Sequence, residues 1–295
     1  MNNQPVRQHW VPKVYLRAFC ADPVDREQIY GVNLITGIEF FTSIERVAVK
    51  KHFYTLGLDT GDLSFEVEEV LSRLESDVRD VLADVRSREL LPSRSSARSI
   101  LAAFIGTQLM RTRQGLQIVH GYRDEVRAGT GPVETRLPPH QATELLSLGN
   151  EGMREFFAKL VLKAGLSLGA HISKMQWNLI RAVDGYFITS ENPVFTFHPI
   201  DSAWGVGSAG SITCFPLSPK LFLHLENEPT LPERPVHDLP AQGVRGLNGL
   251  TVLSAEQFLY SHVPFKHIQD LLVEREEGKR RAFGPRWQRG QGTNV

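Results

Sequence analysis

Leucine and valine recur at helical spacing through the middle of the chain. Val67, Leu71, Leu74 and Val78 fall on one face of a helix that we predict from about Leu63 to Leu90. Pro92 and the serines after it end that helix and offer an N-cap to the next one. The pattern therefore predicts a helical middle at about residues 63–171, whose later helices are expected at about Ser96–Val126, His140–Leu148 and Gly152–His171.

Short runs of apolar residues lie on both sides of this helical middle and predict strands at about 28–56 and 176–226. Gln28–Leu34 and Ile38–Ser43 are expected to form a hairpin that turns at Thr36-Gly37. Later strands are expected at Gln176–Val183 and Gly185–Ser190, as a pair, and then at Val194–His198, Ile212–Leu217 and Lys220–Glu226. The sequence leaves open whether the hairpin pairs with these later strands.

Because the helices cluster between two groups of strands, we predict an α+β fold rather than a doubly wound sheet. The expected elements are an N-terminal β-hairpin, long central helices and mainly antiparallel C-terminal strands. We assign residues 1–273 to one domain. Residues 274–295 are rich in arginine and poor in apolar side chains, and we predict a basic, disordered tail there.

The balance of charge narrows the classes of partner. The chain has 295 residues, 33 Lys and Arg and 33 Asp and Glu, so its formal net charge is zero and a globally basic nucleic-acid binder is not indicated. The oligomeric state is left open. Cys20 and Cys214 belong to no pairing motif, which favours two buried free thiols. No run of about 18 apolar residues and no signal peptide is visible, so we expect a cytoplasmic protein without a membrane partner.

The first candidate for chemistry is the segment Gln8-His9-Trp10-Val11-Pro12-Lys13-Val14-Tyr15-Leu16-Arg17-Ala18-Phe19. Proline suits the first turn of a helix, so a helix should begin near Pro12 with His9 just before it. An imidazole in that position can titrate near neutral pH. We therefore take His9 as the candidate acid–base group.

Two carboxylates on the first long helix form the second candidate. Glu68 and Glu75 are seven residues apart, so they lie on one shoulder of the apolar stripe, about 10 Å apart along the axis. That separation is too long for both to bind one metal from a straight helix, but each could meet a different group across a cleft. Ordinary surface ion pairs are the alternative.

Gln108 and Arg111 lie on the second helix, where Gln108 projects from within the apolar stripe. A buried amide must find partners, because an unsatisfied one costs about 1–3 kcal/mol. The guanidinium of Arg111 offers five donors that suit a carboxylate or a phosphate. Two interpretations stay open for Arg111: it anchors a substrate, or it clamps a glutamate of the preceding helix.

A third candidate is the segment Phe187-Ile188-Thr189-Ser190-Glu191-Asn192-Pro193-Val194. An apolar strand ends here in polar residues and must then turn, and strand ends of this kind often carry binding groups. Ser190, Glu191 and Asn192 are therefore candidate site residues. The structural alternative is that Asn192 only caps the turn.

The chain resembles the bacterial family known as domain of unknown function four-two-three-eight over roughly residues 7–262. That family opens with Gln-His-x-x-Pro-x-x-Tyr-Leu-x-x-Phe and contains Thr-Ser-Asp-Asn-Pro-Val, where this chain has Glu191 in place of the aspartate. The resemblance also implies roles for the pair Glu68 and Glu75, for Gln108-x-x-Arg111, and for Asn248 as a hydrogen-bonding residue near the site. It implies no activity.

Together these residues predict one composite pocket. Our first hypothesis is a hydrolase of phosphorylated substrates, most concretely a nuclease-like phosphodiesterase with His9 as acid–base group and Arg111 as anion binder. Its catalytic groups would be His9, Glu68, Glu75 and Glu191, and its substrate-binding groups Gln108, Arg111, Ser190, Asn192 and Asn248. Nucleic acid would contact a local basic surface, for which the candidates are Arg86, Arg88, Arg94 and Arg98.

Two matters stay open at this point. His9 with Glu68, Glu75 or Glu191 has the chemistry to hold a divalent metal, although no spacing demands one. The alternative function is a non-catalytic interaction or regulatory module, in a defence or mobile-element context, whose polar cluster only specifies the fold. An enzyme should expose these residues in a cleft, whereas a structural network should bury and pair them.

Overall fold

The structure is a computed structural model. It describes residues 7–21, 26–51, 56–57, 63–64, 66–93, 96–129, 143, 145–197, 206–208, 210–228, 235–266 and 268–283. The chain forms two compact units, and one domain over residues 1–273 stays a prediction. The helical unit contains Met1–Pro12, Ala48–Val81 and Ser93–Ser173, and the sheet unit contains Lys13–Val47, Leu82–Pro92 and Lys174–Val295.

The helical unit is built from four helices and two short antiparallel strand pairs within its described residues. The helices are α2 (Glu66–Arg88), which continues into the sheet unit after Val81, α3 (Ser96–Met110), α4 (Arg113–Ala128) and α5 (Asn150–Ile172). The strands are β1 (Arg7–His9), β4 (Val49–Lys51), β5 (Leu56–Gly57) and β6 (Leu63–Ser64), paired as β1–β4 and β5–β6.

Glycines allow α3 and α5 to approach closely. A Cβ atom added to Gly165 would lie 2.7 Å from the Cα of Thr107, and one added to Gly169 would lie 2.7 Å from the Cα of Ala103. No side chain fits at such distances, so both positions require glycine. This close packing holds α3 in place against α5, and Gln108 follows Thr107 in the same helix.

The second predicted helix is wrong in its length, because the chain breaks the helix between Met110 and Arg113. The Thr112 Oγ1 accepts a hydrogen bond of 3.0 Å from the Gly115 N–H, which is the geometry of an N-cap. Threonine therefore starts a new helix, α4, inside an otherwise helical pattern. Arg111 is left at the break, where its side chain can turn toward the N-terminal strand of the same unit.

The sheet unit contains a four-stranded and a five-stranded sheet. The strands are β2 (Gln28–Asn33), β3 (Glu39–Ser43), β7 (Gln176–Ala182), β8 (Thr189–Ser190), β9 (Phe195–Phe197), β10 (Ile212–Pro216), β11 (Leu221–Glu226), β12 (His237–Leu239) and β13 (Phe258–Ser261). The strand orders are β3-β2-β13-β8 and β12-β7-β11-β10-β9, and all neighbours are antiparallel except the parallel pair β12–β7. The fold is α+β, as predicted.

Among its described residues, the sheet unit has three α-helices besides the end of α2: α1 (Lys13–Leu16), α6 (Ala241–Ser254) and α7 (Ile268–Phe283). Helix α6 contributes to two hydrophobic clusters of this unit. Val244 packs with Ile180 and Phe222 of the larger sheet, and Val252 packs with Val32 and Leu259 of the smaller sheet. One helix therefore joins the cores beneath the two sheets.

The predicted hairpin is confirmed, and the structure also shows which later strand pairs with it. β2 pairs with β3 through a turn in which Gly37 has a φ of 69°, and β2 also pairs with β13 near the C-terminal end. The predicted pairing of 176–183 with 185–190 is wrong, because β7 pairs with β11 and β12 while β8 pairs with β13. The side chain of Asn248 instead forms hydrogen bonds with the Ile188 N–H and the Tyr186 carbonyl, which a strand pair would have used.

The predicted disordered tail is wrong for residues 274–283, which are part of α7. The reason is that Arg275 is buried and donates hydrogen bonds to the carbonyls of Ala255 and Glu256, at 3.0 and 2.9 Å. Residues 284–295 lie outside the described part of the chain. Both cysteines are buried and free, as predicted. None of the described helices has the length and apolar character to cross a membrane.

Candidate functional site

The backbone of the N-terminal motif is held in the helical unit by strand pairing. His9 lies opposite Val49 in the β1–β4 pair, and the Trp10 N–H donates to the Ala48 carbonyl at 3.0 Å. Two side chains at the C-terminal end of α3 then bind backbone carbonyls of this segment. Gln108 Nε2 donates to the Trp10 carbonyl at 2.9 Å, and Arg111 Nη2 donates to the His9 carbonyl at 2.7 Å.

Arg111 also holds a carboxylate of the preceding helix. Its Nη1 lies 2.7 Å from the Glu75 Oε1, and the exposed fraction of the side chain is 3% for Arg111 and 26% for Glu75. The clamp interpretation of Arg111 is therefore what the structure shows. Of the five N–H donors of this guanidinium, one binds the Glu75 carboxylate and one binds the His9 carbonyl.

Glu68 has a shifted pKa, and the charges of Arg111 and Glu75 both contribute to the shift. Burial raises the pKa of its carboxyl group, the Arg111 charge opposes that rise, and Glu75 adds to it. Its Oε2 is buried and has no hydrogen-bond partner among the described residues, and the same holds for Oε1 of the fully buried Gln108. We call the set His9, Glu68, Glu75, Gln108 and Arg111 the Arg111 cluster.

A metal finds no ready-made ligand set in this cluster. Across the described ranges, no group of three or more His, Cys, Asp and Glu side chains is arranged to hold a metal ion. The combination of His9 with Glu68, Glu75 or Glu191 considered from the sequence is therefore not assembled as a three-ligand group. Carboxyl and imidazole groups such as those of this cluster can transfer protons.

In the sheet unit, the two sequence motifs meet through Tyr15. Its hydroxyl lies 2.6 Å from Thr189 Oγ1 and donates to the Pro216 carbonyl at 2.8 Å, and its ring stacks on Phe215 with centroids 5.1 Å apart. Tyr15 is fully buried, and burial raises the pKa of its phenol. The tyrosine of the first motif and the threonine of the second are thus partners in the core.

The carboxylate of Glu191 binds backbone N–H groups of a distant segment. Its carboxylate accepts hydrogen bonds from the N–H groups of three consecutive residues, Glu256, Gln257 and Phe258, at 2.6–2.7 Å, and its residue exposure is 1%. Burial raises the pKa of Glu191, while these three donors stabilise the ionised form and oppose the rise. The Glu191 side chain therefore caps three successive backbone N–H groups.

The remaining predicted residues of the sheet unit also make structural hydrogen bonds. Ser190 Oγ accepts from the Asn192 N–H and donates to the Asn192 carbonyl, both at 3.0 Å. Asn192 Nδ2 donates to the Ser254 carbonyl at 3.1 Å. Asn248 accepts from the Ile188 N–H at 3.0 Å and donates to the Tyr186 carbonyl at 2.9 Å. The Asn192 Oδ1 accepts no hydrogen bond from the described residues, so Ser190 Oγ caps this turn and the expected cap by Asn192 is wrong. Asn248 acts as a substitute strand partner.

The proposed basic surface is largely committed to other groups. Arg86 Nε donates to the Leu217 carbonyl at 2.8 Å, and burial lowers the pKa of Arg86 to about 10. Arg98 Nε donates to the Ser173 carbonyl at 3.0 Å, and Arg88 pairs with Asp84 at 2.6 Å. Arg94 lies outside the described residues.

The nine predicted site residues therefore divide between the units. His9, Glu68, Glu75, Gln108 and Arg111 belong to the helical unit, and Ser190, Glu191, Asn192 and Asn248 belong to the sheet unit. The single composite pocket stays a prediction. Sequence reasoning missed the buried Arg275, although Ile268, Leu271 and Leu272 before it have the spacing of a helix face.

Comparison with known proteins identifies a family but no activity. A family model described as a protein of unknown function (DUF4238) matches residues 7–264. Searches of curated proteins and of solved structures found no match to the chain.

Proposed function

The chain belongs to DUF4238, a family of proteins of unknown function, and we propose from the Arg111 cluster that it is a hydrolase using acid–base catalysis. In this proposal Glu68 donates the proton to the leaving group. Glu75 and His9 are the groups available to accept a proton from the attacking water. Phosphodiesters are the first substrate class to test.

The observation that carries this proposal is the state of Glu68. A carboxyl group with a raised pKa keeps its proton to higher pH, which is what a general acid needs near neutrality. Its Oε2 has no hydrogen-bond partner among the described residues, so that atom has no structural bond to lose. Glu75, seven residues along, is paired with Arg111. In many hydrolases, two neighbouring carboxyl groups in different environments act as the general acid and the general base.

Arg111 enters this proposal as a positioning residue. Its two bonds fix the Glu75 carboxylate and the His9 backbone relative to each other, at 2.7 Å each. Because Glu75 already compensates the charge of Arg111, a phosphate substrate would need a different cation to bind it. The nuclease form of the proposal therefore has weaker support than acid–base hydrolysis itself.

The test combines turnover with a direct titration of Glu68. Cleavage of single- and double-stranded DNA and RNA, and of bis(4-nitrophenyl) phosphate, would be measured with and without Mg²⁺ or Mn²⁺. Glu68→Gln should lower kcat by about 10²–10⁴-fold, the usual contribution of a general acid. Glu69→Gln is the matched control, because Glu69 is the exposed neighbour on α2, and it should change kcat less than twofold, or about 0.4 kcal/mol.

Carbon-detected NMR of the Glu68 carboxyl supplies a readout that needs no substrate. The proposal expects this group to titrate above the ordinary glutamate value of about 4.3. An ordinary pKa, or full activity in Glu68→Gln, would overturn it.

A non-catalytic interaction or regulatory module is the second candidate, and one observation favours it. The exposures of Gln108 and Arg111 are 0% and 2%, and both side chains bind backbone carbonyls of the N-terminal motif. In that case the folded wild type would turn over none of these substrates, while changes at Arg111 would lower the melting temperature.

A further inference from the structure

A large cleft lies in the sheet unit, between α6, α7 and the segment that contains Tyr186 and Ile188. Its volume is about 1230 Å³. Pockets for drug-sized ligands occupy about 300–1,000 Å³, so this cleft has room for a molecule of that size. Much of its lining is apolar, with Leu250, Leu253, Phe265 and Leu271 among its residues. We call it the α6–α7 cleft.

Two glycines of α6 face this cleft without a packing reason. Gly246 and Gly249 both line it, and a Cβ atom added to either would have no atom within 4 Å among the described residues. Glycine weakens a helix relative to alanine, so a helix normally carries it where a neighbour comes close. None of the described residues comes close here, and a bound molecule lying against the helix backbone would supply a neighbour.

A buried arginine contributes the polar end of the cleft. Arg275 lines the cleft and has a residue exposure of 6%. Its Nη2 is bonded to the carbonyls of Ala255 and Glu256, and its Nη1 lies 3.5 Å from Glu276, but its Nε has no hydrogen-bond partner among the described residues. An unpaired buried N–H is costly, and an acceptor on a ligand would remove that cost.

The other charges of the lining favour an anion at the rim. Arg245 and Lys266 are exposed there, and neither has an ion-pair partner in the described part of the chain. The acidic lining residues are Asp270, Glu274 and Glu277, of which Asp270 and Glu277 are engaged in other interactions. The described lining therefore has two unpaired cations and one unpaired N–H, on Arg275, but only one unpaired carboxylate, on Glu274.

We propose that the α6–α7 cleft binds an amphipathic anion, with its apolar chain over Gly246 and Gly249 and its carboxylate or phosphate at Arg275 and Lys266. The ligand class is an acyl or aromatic molecule with one anionic end. This site shares no residue with the Arg111 cluster, so it stands or falls independently of the proposed hydrolase.

The experiment is calorimetric titration of the full chain with four probes below their micelle-forming concentrations. The probes are dodecanoate, dodecyl phosphate, dodecanol and dodecyltrimethylammonium, which share a chain and differ in the head group. We expect one saturable site for at least one of the two anions, weaker binding of the alcohol, and no binding of the cation. The two anions distinguish a carboxylate ligand from a phosphate ligand.

Variants then locate the site. Gly249→Leu should fill the cleft and raise the Kd of the anion at least about tenfold, or about 1.4 kcal/mol. Gly121→Leu is the matched control, because Gly121 is also an exposed helical glycine with no atom within 4 Å of an added Cβ, and it lies in α4. It should leave the Kd unchanged. Lys266→Gln should weaken the anions but not dodecanol.

Three results would overturn the proposal. They are absence of saturable binding for both anions, an unchanged Kd in Gly249→Leu, and binding of the cation as tight as that of the anions. Sedimentation with anionic phospholipid vesicles in the absence of monomer binding would identify a membrane surface instead, and would also overturn the cleft as a ligand site.

Discussion

The buried ion pair at Arg111 gives the sharpest stability prediction. Arg111→Met removes the 2.7 Å bond to the His9 carbonyl and the 2.7 Å bond to Glu75, while the methionine keeps most of the apolar volume. A hydrogen bond from a charged group contributes about 1.5–3 kcal/mol. Glu75 is 26% exposed and can turn toward water, so we assign its ion pair only about 1 kcal/mol. The expected loss is about 3 kcal/mol in all.

Hydrogen exchange is the most direct assay, because the two units need not unfold in one step. The Trp10 N–H is bonded to the Ala48 carbonyl at 3.0 Å, so it reports opening of the β1–β4 pair that Arg111 holds. A loss of about 3 kcal/mol should make this amide exchange about 100-fold faster if exchange follows local opening.

The control is Arg79→Met, because Arg79 lies on the exposed face of α2. We expect this change to alter stability by less than about 0.5 kcal/mol, as is usual for surface positions. The reasoning is refuted if Arg111→Met leaves the exchange of Trp10 within threefold of the wild type, or if it has no more effect than the control.

Three further outcomes follow from the sheet unit. Tyr15→Phe should cost about 1.5–3 kcal/mol in urea unfolding, because it leaves the Thr189 hydroxyl and Pro216 carbonyl unpaired, and an effect equal to that of Tyr30→Phe would contradict this. Glu191→Ala strands three N–H donors and should cost about 3–5 kcal/mol, so a loss below 1 kcal/mol would show that the cap is dispensable. Burial, aided by His237 and opposed by Glu226, lowers the pKa of His224, so the unfolded state binds the proton first and stability should fall as the pH drops below about 6.5. His224→Gln should flatten that fall in melts between about pH 6.5 and 5, and an unchanged slope would mean that another group is responsible.

Local pattern was enough to place most helices and strands. The stripe on α2 and the Thr36-Gly37 turn are local features, because helix periodicity and turn chemistry depend on residues a few positions apart. The break at Thr112 escaped this reasoning, since a threonine inside an apolar helical pattern has no local signal that its hydroxyl will cap the next turn. The tail was misjudged in the same way, because its charge content hid one arginine that becomes buried.

The candidate site was predictable as a set of residue types but not as a set of contacts. A glutamine within an apolar stripe needs partners, and the Gln108 Nε2 finds one, yet that partner is a carbonyl 98 positions earlier in the chain. Glu191 and Asn192 were identifiable at a strand end, but their partners were not. Folding brings residues 254–258 next to them, so that Glu191 accepts from three N–H groups and Asn192 donates to the Ser254 carbonyl.

What the sequence alone determined about this protein is the α+β class, most of its helices and strands, and the family to which its motifs belong. Only the tertiary structure decided that Arg111 clamps Glu75, that Tyr15 meets Thr189, and that α6 and α7 enclose a cleft. The physical reason is that a buried polar group bonds to the partners that packing brings within about 3 Å of it. Those partners lie tens to hundreds of residues away, where no local pattern reaches.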